Sequence, residues 1–102
     1  MEIIWSDRAY VRRCAIEDYI LYSFGYAAYA EFLERIEEWK KLVLANPKVG
    51  RVEQLLTGMR KEYRSYPIGK LSKCIYYIEG DYIVFADWWN TRSGIQRLRG
   101  GL

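Results

Sequence analysis

Residues 72–89 read SKCIYYIEGDYIVFADWW, and the way this stretch doubles back decides the architecture. Two runs rich in β-branched and aromatic residues flank Glu79-Gly80-Asp81, where Gly80 supplies the positive φ that a tight hairpin turn requires. Residues 72–79 and 82–89 are therefore expected as antiparallel neighbours. The segment YIVFA at 82–86 is apolar at every position, as an interior strand covered on both faces is. Residues 72–79 alternate more, with Lys73 on the same side as Ile75 and Tyr77. Side chains alternate along a strand, so Trp88 and Trp89 must face opposite ways: one beneath whatever covers the sheet, the other on its open side.

Working outward toward the amino terminus, EIIW at 2–5 reads as a short strand stopped by Ser6-Asp7, a helix N-cap with an acid in the first turn. Residues 7–24 then run without proline or glycine. Ala9, Ile16, Ile20 and Phe24 form one row with Arg13 among them, while Tyr10, Cys14 and Leu21 form a second apolar row. A helix apolar on two sides has two things to pack against. Gly25 breaks it, and Phe32, Ile36, Trp39 and Val43 then mark the core stripe of a second helix that ends at Asn46-Pro47. On its outer side, Glu31 with Arg35 and Glu37 with Lys41 are i,i+4 pairs, each contributing ~0.2 to 0.5 kcal/mol. A single glycine between two such helices predicts an antiparallel hairpin.

Residues 47–58 read as a connector with Gly50-Arg51 in its middle and room for a short turn at 52–56, followed by a further strand at 61–67. The expected fold is α+β in the order β-α-α-β-β-β: an antiparallel sheet packed on one face by an α-helical hairpin, its other face partly open. The 102 residues make one domain, able to bury roughly two thirds of the unfolded surface. The composition, 51% hydrophobic and 28% charged, is that of a globular chain.

Net charge is +3, yet it is segregated. Residues 1–39 carry four basic side chains (Arg8, Arg12, Arg13, Arg35) against eight acidic ones, and residues 40–102 carry twelve basic against five acidic. The second half can thus present a basic face to a polyanion or an acidic protein, or simply a solvated one. No basic-then-apolar signal pattern opens the sequence and no apolar run approaches the about eighteen residues of a membrane span, so the expected location is the cytoplasm with no membrane partner. Cys14 and Cys74 read as reduced packing residues.

Several chemistries are excluded. The chain has no histidine, which removes the usual general base, the triads built on it and an ordinary zinc site. No nucleotide-cradling glycine motif occurs, and of the acids near the last strands, Glu79 and Asp81 belong to a turn. No metal or cofactor is expected. What remains is a set of cations on strands: Arg64, Lys73 and, just past ADWWNT, Arg92. Three adjacent strands could gather them over one concave face, where they would bind phosphate or stabilise charge developing on it. Tyr66 shares Arg64's side by strand period and could stack on a base. The competing role for all of them is that of edge charges that oppose aggregation. Asp87 is placed to pair with Lys73 or Arg92.

The ordered set IIWSDRA (3–9), FLERIEE (32–38), NPKVGR (46–51), YRSYPIGK (63–70), CIYYIEGDYIVF (74–85) and NTR (90–92) resembles the RelE/ParE superfamily of bacterial toxins, the toxic halves of type II toxin–antitoxin (plasmid stabilisation) modules. The resemblance implies the same strand and helix order. It also implies one of two activities: RelE-like ribosome-dependent cleavage of mRNA, or ParE-like poisoning of DNA gyrase without a nuclease site. Arg64, Lys73 and Arg92 fall where the ribonucleases place basic residues, Tyr66 where some have a second lysine, and Leu98 near an expected terminal tyrosine. Cleavage needs a 2′-hydroxyl oriented and a leaving oxygen protonated, which lysine and arginine do poorly near neutral pH unless a pKa is strongly lowered. The long hairpin and the Gly50-Arg51 element look more like the ParE side, so gyrase binding is the favoured expectation, with the ribonuclease as alternative. A third reading is a degenerate toxin that only joins its antitoxin on operator DNA as co-repressor. The implied partner is a cognate antitoxin, for which Tyr10, Cys14, Leu21 and Tyr22 are candidate contacts; the competing readings are packing in a homodimer, or scattered surface apolars of the ordinary kind. Arg92 is the strongest single functional candidate.

Overall fold

In the computed structural model, which describes residues 1–91, the helical hairpin forms where the sequence pattern places it. Strand β1 (Glu2–Trp5) leads into helix α1 (Asp7–Phe24), whose N-cap Ser6 accepts a hydrogen bond from the Ala9 amide and donates one from its hydroxyl to the Ala86 carbonyl at 2.9 Å. One capping residue thus both starts the helix and ties it to the far end of the chain. Gly25, at φ 91°, turns the chain into α2 (Tyr26–Ala45). The stripe Phe32, Ile36, Trp39 and Val43 is buried in full. Arg13 of α1 acts electrostatically on Glu37 of α2, as residues equally far either side of Gly25 do in an antiparallel pair. On the outer face the Glu31–Arg35 pair is present, whereas Glu37 pairs with Lys40 instead of the expected Lys41.

After α2 come β2 (Arg51–Val52), a 3-10 turn (Gln54–Leu56), β3 (Arg64–Ile68), β4 (Ser72–Glu79) and β5 (Tyr82–Asn90). The five strands form one sheet in the order β1-β5-β4-β3-β2. The α+β class and the helical hairpin on one face are as expected, but the sheet is mixed: β1 runs parallel to β5, and the other pairings are antiparallel. The two-residue β2 is the reason. A helical hairpin followed by three strands would bring the last strand back antiparallel to β1, and β2 adds one further reversal.

Two apolar clusters lie on opposite sides of the sheet. Beneath the helices, Trp39 stacks on Tyr66 at 4.6 Å and meets the rings of Tyr76 and Phe85, while Trp5 stacks on Trp88. Arg13, set in the apolar row of α1, lays its guanidinium over the Trp5 ring at 5.2 Å and bonds Glu17. Phe24 does not join this core and is 59% exposed, because it is the last residue of α1. On the other side, Ile75, Ala86 and Trp89 are covered by Leu56 and Tyr63, with Leu55 and Met59 packed against them. Trp88 and Trp89 therefore separate to the two faces as alternation requires.

Candidate functional site

A register shift in the β4–β5 ladder shapes the site. Ile75 pairs with Asp87 but Tyr76 pairs with Phe85, so Ala86 is the extra residue of a bulge. The bulge aims Asp87 at α1, where Arg12 Nη1 donates to both carboxylate oxygens at 3.2 and 3.0 Å and the Trp88 amide donates a third bond. Asp87 thus pairs with Arg12, not with Lys73. Burial raises its pKa above the ordinary value, with the Arg12 charge as the main opposing influence.

The connector after α2 is pinned in a specific course. Tyr76 Oη accepts from the Gly50 amide at 2.9 Å and donates to the Pro47 carbonyl at 2.8 Å, and burial holds this phenol's pKa up. A Cβ on Gly50 would lie 2.7 Å from the Tyr76 ring and 2.8 Å from the Ser65 carbonyl, so this position needs glycine for close approach, not for its dihedrals. Arg64 Nη1 donates to the Gly50 carbonyl at 2.9 Å and, more weakly, to that of Lys48, while Nη2 reaches Glu62. Arg51 follows directly, exposed at the sheet edge.

The expected gathering of Arg64, Lys73 and Arg92 over one hollow does not hold for the two described cations. Arg64 opposes Tyr76 and shares the helix-side face with Tyr66, whereas Lys73 opposes Pro67, three residues further along β3, and so points to the other face. Arg92 and Leu98 lie outside the described residues. Tyr66 is occupied in its stack under Trp39. On α1, Tyr10 and Leu21 are exposed, Tyr22 is 89% exposed, and Cys14 is half-buried. Cys74 is fully buried, and desolvation pushes its thiol pKa well above the usual range.

Lys73 instead belongs to a cluster that the sequence reading missed. Its Nζ donates to both oxygens of Glu53 at 3.2 Å and sits 4.3 Å from the centre of the Trp89 ring. Glu53 also accepts from the Ser65 hydroxyl at 2.7 Å. Glu53, Ser65 and Lys73 form one wall of a hollow of about 710 Å³ at the sheet edge, bordered by Arg51, Gln54 and Pro67 and reached from the helix side by Val49 and Tyr66. The signal available in the sequence was the alternation Arg51-Val52-Glu53, which puts Arg51 and Glu53 on one side of an extended segment. A second hollow of about 650 Å³ opens between the helical hairpin and the β3–β4 turn, with an apolar floor of Ile20, Phe24, Ala28, Phe32 and Ile68 and charges at its rim on Glu31, Arg35 and Lys70. Among the described residues no group of three or more His, Cys, Asp and Glu could hold a metal ion, and no helix is long and apolar enough to cross a membrane.

Two helices laid on a mixed five-stranded sheet in this order make a RelE/ParE-like toxin fold. The chain superposes on a chain of the chromosomal ParDE TA system from P. aeruginosa with a TM-score of 0.68 and 18% identity, covering 88% of this chain and 95% of that one. It superposes on the YoeB/ParE toxin from Agrobacterium tumefaciens with a TM-score of 0.61 and 15% identity, covering 88% and 98%. No family model and no curated protein matches the sequence. At such identities the likeness shows the fold alone.

Proposed function

We propose that this chain is the toxin of a type II toxin–antitoxin module, that it inhibits growth by ParE-like binding to DNA gyrase, and that a cognate antitoxin neutralises it. The fold of its structural neighbours supports the module. The choice of target rests on one observation: of the candidate cations, Lys73 on the open face is closed in an ion pair with Glu53, while Arg64 spends its donors on the connector and Glu62. With no histidine in the chain, neither of these two cations is left free to give a proton to a leaving 5′-oxygen. Arg92 completes the ribonuclease alternative and is its critical residue. The antitoxin contact is assigned to the exposed side of α1, with Tyr10, Cys14, Leu21 and Tyr22, and to the apolar hollow beside it, which suits the apolar face of a helix.

Induced expression should arrest growth and leave plasmids relaxed while transcripts stay intact, and co-expression of a small reading frame adjoining the gene should restore both growth and supercoiling. Arrest with cleaved transcripts, abolished by Arg92→Ala, would replace this reading with the ribonuclease one. Harmless expression would favour a co-repressor.

A further inference from the structure

The Lys73 cation is held in a way that decides what its hollow can accept. Glu53 is 7% exposed, and its amide donates to the Tyr63 carbonyl at 2.8 Å, so its carboxylate is part of the fold and not a swinging surface acid. Both of its oxygens engage Lys73, and one also takes the Ser65 hydroxyl. Trp89 closes another side of the ammonium, and Leu56, three residues beyond Glu53, covers Trp89 and Ile75. One short segment therefore controls both the charge at Lys73 and the approach to it. A phosphodiester oxygen reaching this ammonium would have to settle beside a carboxylate in a poorly solvated site, where like charges repel strongly. Arg51 stays solvated at the rim, where it can attract an acidic surface at long range but does not build a phosphate pocket.

We propose that Glu53 is the specificity-determining residue of the open face: by keeping Lys73 in a closed ion pair it excludes polynucleotide backbones and reserves the hollow for protein side chains. Rejection of a wrong ligand by a fixed repulsive group is a general route to specificity. The inference rests on the reading of the chain as a target-binding toxin and deepens it by naming the residue that turns RNA away.

Binding of a short fluorescein-labelled single-stranded RNA, followed by anisotropy at low salt, tests it on the full chain. Glu53→Gln should bind about tenfold more tightly than wild type, with a log–log salt slope steeper by roughly one, as expected for one freed cation. The gain should vanish in Glu53→Gln/Lys73→Gln and should be absent from Asp81→Asn, which removes an equal charge at the exposed β4–β5 turn. No gain in Glu53→Gln, or a gain that survives loss of Lys73, overturns the proposal. If Glu53→Gln fails to fold by near-UV circular dichroism, Lys73→Gln alone carries the test. RNA affinity within about twofold of wild type is then expected, and a loss of about tenfold overturns the proposal. Inhibition of gyrase by the wild-type chain is read separately, so failure of the target assignment and failure of the role of Glu53 are distinguishable.

Discussion

The two faces of the sheet are covered by different means. On one, a hairpin of two long helices buries a continuous aromatic core centred on Trp39. On the other, a short turn and its flanking residues lay Leu56 and Tyr63 over Ile75, Ala86 and Trp89 and leave the Lys73–Glu53 pair at the margin. The first arrangement is dictated by periodicity and carries the stability of the fold. The second depends on a few long-range contacts and decides what the face can touch. Stability and specificity are thus assigned to opposite sides of one sheet.

That division can be broken by mutation. Trp39→Ala should have the largest effect, a loss of about 3–5 kcal/mol in denaturant unfolding, against about 2 kcal/mol for Leu56→Ala on the loop side. Equal losses would show that the loop is as much a core as the helices are. Gly50→Ala should cost about 1–3 kcal/mol, because the new methyl must displace the Tyr76 ring or the Ser65 carbonyl. The same change should weaken target binding by shifting Arg51, and an unperturbed melt would show that the connector is not pinned as described.

The smallest effect is expected from Asp87→Asn and lies in pH dependence. Asp87 has its folded pKa raised above the ordinary 3.8, so proton binding favours the folded chain. Its contribution is present below that value and is lost as pH rises through the folded pKa. Denaturation at acidic and neutral pH should therefore show the variant gaining stability relative to wild type as pH increases. Parallel profiles would mean that the Arg12 pair fully offsets burial.

How much of this was readable beforehand follows from the range of each determinant. The α2 stripe, the Ser6 cap, the Gly25 break and the hairpin at Gly80 are local patterns, and they appear where the residues place them. Strand β2 carries no pattern in two residues. Its existence depends on Tyr76, Arg64 and Gly50 meeting across the fold, and the parallel pairing of β1 follows from it. Alternation told which residues of one strand share a side, but not the phase between strands. Lys73 opposes Pro67 and not its neighbour Tyr66, so Lys73 and Arg64 fall on opposite faces. The bulge at Ala86 likewise redirects Asp87 to Arg12, a partner 75 positions away in the chain.

The proposal that the chain is a toxin holding a protein target, without cutting RNA, can be put to a single purified preparation given to DNA gyrase with relaxed plasmid and to a translating extract with labelled mRNA. Blocked supercoiling with full-length message is the predicted result. Active gyrase with mRNA cleaved at ribosomes would contradict it.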